Sequence, residues 1–171
     1  FQEMSLNDVL GGDAYVSQAV AKHPTGVSVL PASILEFDAS ADKLKHSVLD
    51  FLGNKDFVLI DAAAGTGDEV EAAIEASDET LLVTQPELPS LTNTLGAKKL
   101  AEARGTKISG VILNGVRNEK AEVEDHDIKE LLDEHIIGRI PDHRHVREGI
   151  ALRRPVVDHK PDSPASHAIQ D

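Results

Sequence analysis

The sequence predicts an α/β fold, a doubly wound and mostly parallel sheet with helices on both faces, and three observations predict it. Short apolar runs rich in Val and Ile alternate with longer segments of helical period, the pattern of βα units. The runs are apolar on both faces, as strands buried within a parallel sheet are. The length, 171 residues, suits one sizeable core and is too short for two ordinary ones.

In chain order, Val27 to Leu30 is the first strand candidate. Leu44, Val48, Phe51 and Leu52 then recur at i, i+4, i+7 and i+8, one apolar stripe on a helix that Ser40 can cap and Gly53-Asn54 ends. Phe57 to Asp61 reads as the next strand, and Val70, Ala73 and Ile74 mark a shorter helix. Thr80 to Thr84 is a strand, followed by a long helix through Leu88, Leu91, Leu95, Ala97, Leu100 and Ala101 that stops near Gly105. After the strand Ile108 to Asn114, Ile128, Leu131 and Leu132 mark a helix with an acidic opposite face. Ile136 to Ile140 is the last strand, and an amphipathic stretch runs from about Asp142 to Ala151. The polar segment 158–166, with two prolines, reads as a linker, and Ser166 to Asp171 as the start of a helix. The sequence therefore divides into a domain over 1–157 and a tail over 158–171.

Composition excludes several chemistries. Thirty acidic residues against 17 basic give a net charge of −13, which repels nucleic acid and anionic lipid, so direct DNA binding is not expected. The acidic surplus suits a salt-rich cytoplasm, where screening removes self-repulsion, and a halophilic source is the expectation. No cysteine is present, which rules out disulfides, thiolate zinc sites and thiol nucleophiles. Among eight histidines, His143 and His145 form the one tempting pair, but i, i+2 neighbours on a helix diverge, so solvated polar residues are the simpler reading. No apolar run approaches the roughly 20 residues that span a bilayer. The start at Phe1 and the end at Asp171 both read as cut, with no signal sequence after Phe1.

Ligands of open parallel sheets sit beyond the carboxyl ends of the strands, which singles out three places. Asp61 ends an apolar strand and is followed by Ala62-Ala63-Ala64-Gly65-Thr66-Gly67. A carboxylate there can hold Mg²⁺ or its waters, and glycines let backbone N–H groups approach phosphate. The plain alternative is that Asp61 caps the following helix. Thr84-Gln85-Pro86-Glu87 is a polar strand exit that needs no function. Asn114-Gly115 and Ile140-Pro141-Asp142 each end a strand, and an Asn amide both donates and accepts, which suits a purine edge. By itself Asn-Gly is a turn.

In this order and spacing these places resemble the MinD/ParA family of deviant P-loop ATPases, from about Leu6 to Ile169. Asp61 to Gly65 matches the family's switch II region, and Thr84 to Glu87 its Thr-Asn-Pro-Glu segment with Gln85 in place of Asn. Asn114 corresponds to the adenine-contacting Asn, and Gly138 to Asp142 to the Gly-x-Ile-Pro-Asp/Glu signature. Val146-Arg147-Glu148-Gly149 resembles the closing helix, and Leu6 to Gly12 the early one. The resemblance implies a P-loop NTPase fold that binds ATP with Mg²⁺. It assigns the metal and the catalytic role to Asp61, and nucleotide contacts to Gly65, Asn114, Pro141 and Asp142.

It also implies a cytoplasmic switch that forms a homodimer when nucleotide is bound, works with a positioning or activator protein, and reaches the membrane at most peripherally. Such switches position a division, chromosome-partition or motility component. The departures are Ala63 where the family often has Pro, and the lack of any Gly-Lys-Thr or Gly-Lys-Ser in the 171 residues. Lys98 and Lys99 open no Gly-rich turn and cannot substitute. These 171 residues alone are therefore expected not to hydrolyse ATP. The alternative is a P-loop-free binding module that docks on a true ATPase. A missing central strand also predicts that Phe57 to Asp61 and Thr80 to Thr84 are not paired with each other but lie across a gap of roughly 9 to 10 Å, one strand wide. Apolar side chains exposed along that gap would make the isolated segment aggregate or molten.

Overall fold

The computed structural model describes residues 4–32, 40–51 and 53–171. The chain forms two compact units, Phe1–Asp78 and Glu79–Asp171.

In the first unit, α1 (Leu6–Gly11), α3 (Ala41–Leu49) and α4 (Asp68–Glu75) follow from short apolar stripes, with α2 (Val16–Ala19) a single turn between α1 and α3. Leu10, Leu44 and Ala72 form the buried cluster, and Ile60 packs against it. Ser40 caps α3 as its position suggests, accepting from the Lys43 backbone N–H at 3.4 Å. Leu52 of the expected stripe lies outside the described residues. Val27 to Leu30 does not enter a parallel sheet. Instead β2 (Ser28–Val29) pairs antiparallel with β1 (Ala21–Lys22), because Gly26, at φ +93°, closes a tight turn between them.

Phe57 to Asp61 is not a strand. It carries no ladder, and Phe57 and Leu59 are 88% and 95% exposed. An apolar run has strand propensity only in so far as a neighbour takes up its backbone groups and its side chains. Among the described residues it has none, and only Ile60 is held in the core.

The second unit is a βα repeat. Its strands β3 (Glu79–Thr84), β4 (Lys107–Val116) and β5 (Ile136–Pro141) are parallel in the order β3-β4-β5. Leu82, Val111 and Leu113 on the sheet meet Leu91 of α5 (Leu88–Arg104) and Ile128 and Leu132 of α6 (Asp125–Leu132) in one buried cluster. Gly105, in the left-handed region at φ +72°, ends α5 where the sequence places the stop. The strands are less buried than the sequence implies. Leu82 and Thr84 of β3 face inward, while Leu81 and Val83 are 47% and 56% exposed on the other side. Across the pair, Glu79 accepts from Lys107 Nζ at 2.7 Å and from Ser109 Oγ at 2.6 Å, which holds its carboxyl below the usual range. Lys98 is buried on α5 and pairs with Glu102 at 2.8 Å, a structural role.

Segment 158–166 is not a linker, while the helix expected from Ser166 is present and starts two residues earlier, at Pro164. After α7 (Arg144–Ala151), α8 (Val156–His159) and α9 (Pro164–Gln170) fold back, and α9 packs against β5. Ala165 and Ser166 are fully buried. The polar residues are tolerated because they satisfy one another. Ser166 Oγ lies 2.6 Å from the Lys160 carbonyl and 2.9 Å from Ser163 Oγ, which itself caps α9 by accepting from the Ser166 N–H. The chain therefore divides between 78 and 79, and residues past 157 belong to the second unit. Among the described residues, no helix is long and apolar enough to cross a membrane.

Candidate functional site

The carboxyl edge of the β3-β4-β5 sheet brings together three of the predicted residues. Asn114 pairs in register with Ile140, and Val116 with Pro141, so Gly115 is an extra residue in β4. It takes φ +71°, a bulge that turns the strand tip, and a Cβ there would meet Gln85 Nε2 at 3.4 Å. Beside it, the Asn114 amide is exposed and has no hydrogen-bond partner among the described residues, so both its donors and its acceptor are open. The ladder continues one step beyond β5 as the Asp142 N–H donates to the Val116 carbonyl at 2.9 Å.

The Asp142 carboxylate is gripped from two sides. Arg117 Nε donates to Oδ2 at 2.8 Å, and an Arg147 guanidinium N–H donates to Oδ1. The Arg117 bond, with Arg147 adding to it, holds the Asp142 carboxyl below the usual carboxylate range. Each oxygen keeps a further lone pair for a hydroxyl donor. Neither arginine was singled out from the sequence as a partner of Asp142. The available signal was their spacing, Arg117 three residues past Asn114 and Arg147 one helical turn into α7.

The neighbouring strand exit is tied by hydrogen bonds. Thr84 Oγ1 and Ser90 Oγ lie 2.9 Å apart, the Gln85 N–H donates to Ser90 Oγ at 3.0 Å, and the Pro86 carbonyl accepts from Val123 N at 2.9 Å. Between this exit and the 116–125 loop lies a cleft of about 290 Å³, lined by Pro86, Leu113, Val116, Glu122 and Arg139 among others. Arg139 is ion-paired with Asp125 at its rim.

Asp61 and Gly65 belong to the first unit. The Asp61 carboxylate is exposed and has no hydrogen-bond partner among the described residues. It does not cap the next helix, since the N-cap of α4 is Gly67. Gly65 sits at φ +110° with open space where a Cβ would stand. A free carboxylate followed by an unobstructed glycine backbone suits a hydrated cation and a phosphate, and a free amide beside a fixed carboxylate suits a nucleoside.

Comparison with known proteins gives the family of the chain. A family model described as an AAA domain matches residues 9–148. An uncharacterised ATP-binding protein of Methanocaldococcus jannaschii is 36% identical over 171 residues, covering 98% of this chain and 65% of that protein. The cell division ATPase MinD of Pyrococcus furiosus superposes with a TM-score of 0.88 at 28% identity, over 98% of this chain and 73% of that one. The septum site-determining protein MinD of Pyrococcus horikoshii, complexed with Mg-ADP, gives 0.87 at 29% identity, over 97% and 70%. The chain thus spans just under two thirds of the length of the ATP-binding relative. With the ordered strand-end residues, the parallel sheet and these matches in agreement, the chain belongs to the MinD/ParA family of P-loop ATPases.

Proposed function

We propose that this chain is the base-binding and switch portion of an ATP-dependent dimerisation switch of the MinD type. The nucleotide-bound form pairs with a second copy and positions a division, partition or motility component through a partner protein. The observation that carries this reading is the strand-edge cluster, in which a bulge presents the free Asn114 amide beside Pro141 and the doubly held Asp142.

In this reading Asn114 recognises the purine edge, Pro141 offers it an apolar contact, and Asp142 accepts from a ribose hydroxyl. Asp61 holds Mg²⁺ directly or through water, and the Gly65 backbone approaches phosphate. MgATP, when bound, supplies the phosphoanhydride whose hydrolysis resets the switch. The two arginines keep Asp142 ionised and aimed, so the carboxylate is in place before ligand arrives. The 171 residues contain no Gly-Lys-Thr, so turnover is proposed only for the full-length protein.

The test is calorimetric titration of the full-length protein with ADP and GDP in the presence of Mg²⁺. Losing the hydrogen bonds of one amide costs about 1 to 3 kcal/mol, so Asn114→Ala should weaken ADP about tenfold and narrow its margin over GDP. An unchanged ADP affinity in that variant would overturn the assignment.

A further inference from the structure

The Thr84-Gln85-Pro86-Glu87 exit, which reads from sequence as a plain loop, carries a side chain that the fold leaves idle. Both backbone polar groups of Gln85 are engaged. Its N–H donates to Ser90 Oγ at 3.0 Å, and its carbonyl accepts from the Glu87 N–H at 2.8 Å and from Thr84 Oγ1 at 3.3 Å. The side-chain amide, in contrast, has no hydrogen-bond partner among the described residues.

The sheet sets where that amide lies. Thr84 stands opposite Leu113 in the β3-β4 ladder, so Gln85 and Asn114 take the next step of the register side by side. Thr84 and Leu113 are buried while Gln85 and Asn114 are exposed, as the alternation of side chains along a strand requires. The Gln85 amide reaches over β4, since its Nε2 would lie 3.4 Å from a Cβ at Gly115, the residue next to Asn114. Two unengaged amides therefore share one strand edge.

We propose that Gln85 is a specificity-determining residue of the nucleotide site, a second amide that reads the purine together with Asn114 and selects adenine over guanine. This rests on the nucleotide-binding reading of the strand edge and deepens it. An amide sets one donor beside one acceptor. Adenine presents the matching pair on two edges, because its N6 amino group donates and is flanked by the ring acceptors N1 and N7. Guanine presents such a pair only where O6 meets N1–H, and on its other edge O6 and N7 both accept. A single amide can thus be satisfied by either base. Two amides, each satisfied in full, match adenine alone. The tied backbone of the exit leaves only the Gln85 side chain to be ordered when a base arrives, which keeps the cost of binding low.

Calorimetric titration of the full-length protein and its Gln85→Leu, Gln85→Arg and Asn114→Ala variants with ADP and with GDP, in the presence of Mg²⁺, tests this. The expected result is a wild type that prefers ADP and a Gln85→Leu variant that binds ADP about tenfold more weakly while GDP changes by less. Gln85→Arg, whose side chain only donates and so suits O6 and N7, should narrow the margin further. The Tm of Gln85→Leu should match the wild type, because the replaced amide is exposed. Wild-type ADP affinity in Gln85→Leu, or an equal loss of ADP and GDP, overturns the role of Gln85. Asn114→Ala then separates the two readings. If it weakens ADP, the nucleotide site stands without Gln85, and if it leaves ADP unchanged, the nucleotide reading itself falls.

Discussion

Two apolar runs of similar composition, Phe57-Val58-Leu59-Ile60 and Leu81-Leu82-Val83, meet different fates. The second is β3, laddered to β4 and anchored by Leu82, which is 4% exposed. Among the described residues the first has no ladder and is held in the core through Ile60. A strand is thus a property of a pair rather than of a segment, since its propensity reflects a half-buried surface with neighbours.

The largest expected contrast is in amide exchange. Val111 and Leu113, in the central strand, should exchange only on global opening of the second unit, while residues 58 to 60 should exchange orders of magnitude faster. Equal protection would show that 57–61 has a ladder in solution. Next in size, Leu91→Ala in the fully buried cluster should cost about 2 to 5 kcal/mol in urea denaturation, whereas Leu59→Ala should stay within about 0.5. A costly Leu59→Ala would mean that this side chain is covered in the intact protein.

A smaller effect sharpens the picture of how the second unit closes. A Cβ at Gly149 would lie 2.7 Å from the Arg154 carbonyl, so Gly149→Ala should destabilise by about 1 to 3 kcal/mol, visible as a lower Tm. The smallest effect is electrostatic. The Asp142 pKa is lowered in the folded protein, so its contribution is complete above the unfolded value and is lost as pH falls through the folded one, below about pH 4. Arg117→Gln should raise the Asp142 midpoint in a carboxyl NMR titration, with little change in stability because the pair is near the surface.

The second unit was largely legible in the sequence. Thr80 to Thr84, Ile108 to Asn114 and Ile136 to Ile140 became strands within a residue or two at either end, because Val and Ile there have both partners and a covering helix. The strand-edge residues were legible for the same reason, since register carries Asn114, Pro141 and Asp142 to one edge. What sequence reading missed was partnership across chain distance. The grip of Arg117 on Asp142 joins residues 25 apart in the chain, and the Phe57 run gives no sign of its lack of a neighbour. The tail misled because polarity reads as solvation, yet the Ser163 and Ser166 hydroxyls satisfy one another inside the protein.

That serine pair bears on covalent signalling. Ser163-Pro164, in a polar, proline-containing stretch, has the look of an accessible acceptor for a proline-directed kinase. In the fold Ser163 is 4% exposed and its hydroxyl is engaged as the α9 cap. A phosphoryl group there would bring nearly two negative charges into a space already filled by Ser166 and the Lys160 carbonyl. Modification would therefore demand that α9 first leave β5, so a phosphate at Ser163 would mark a chain that had already come undone.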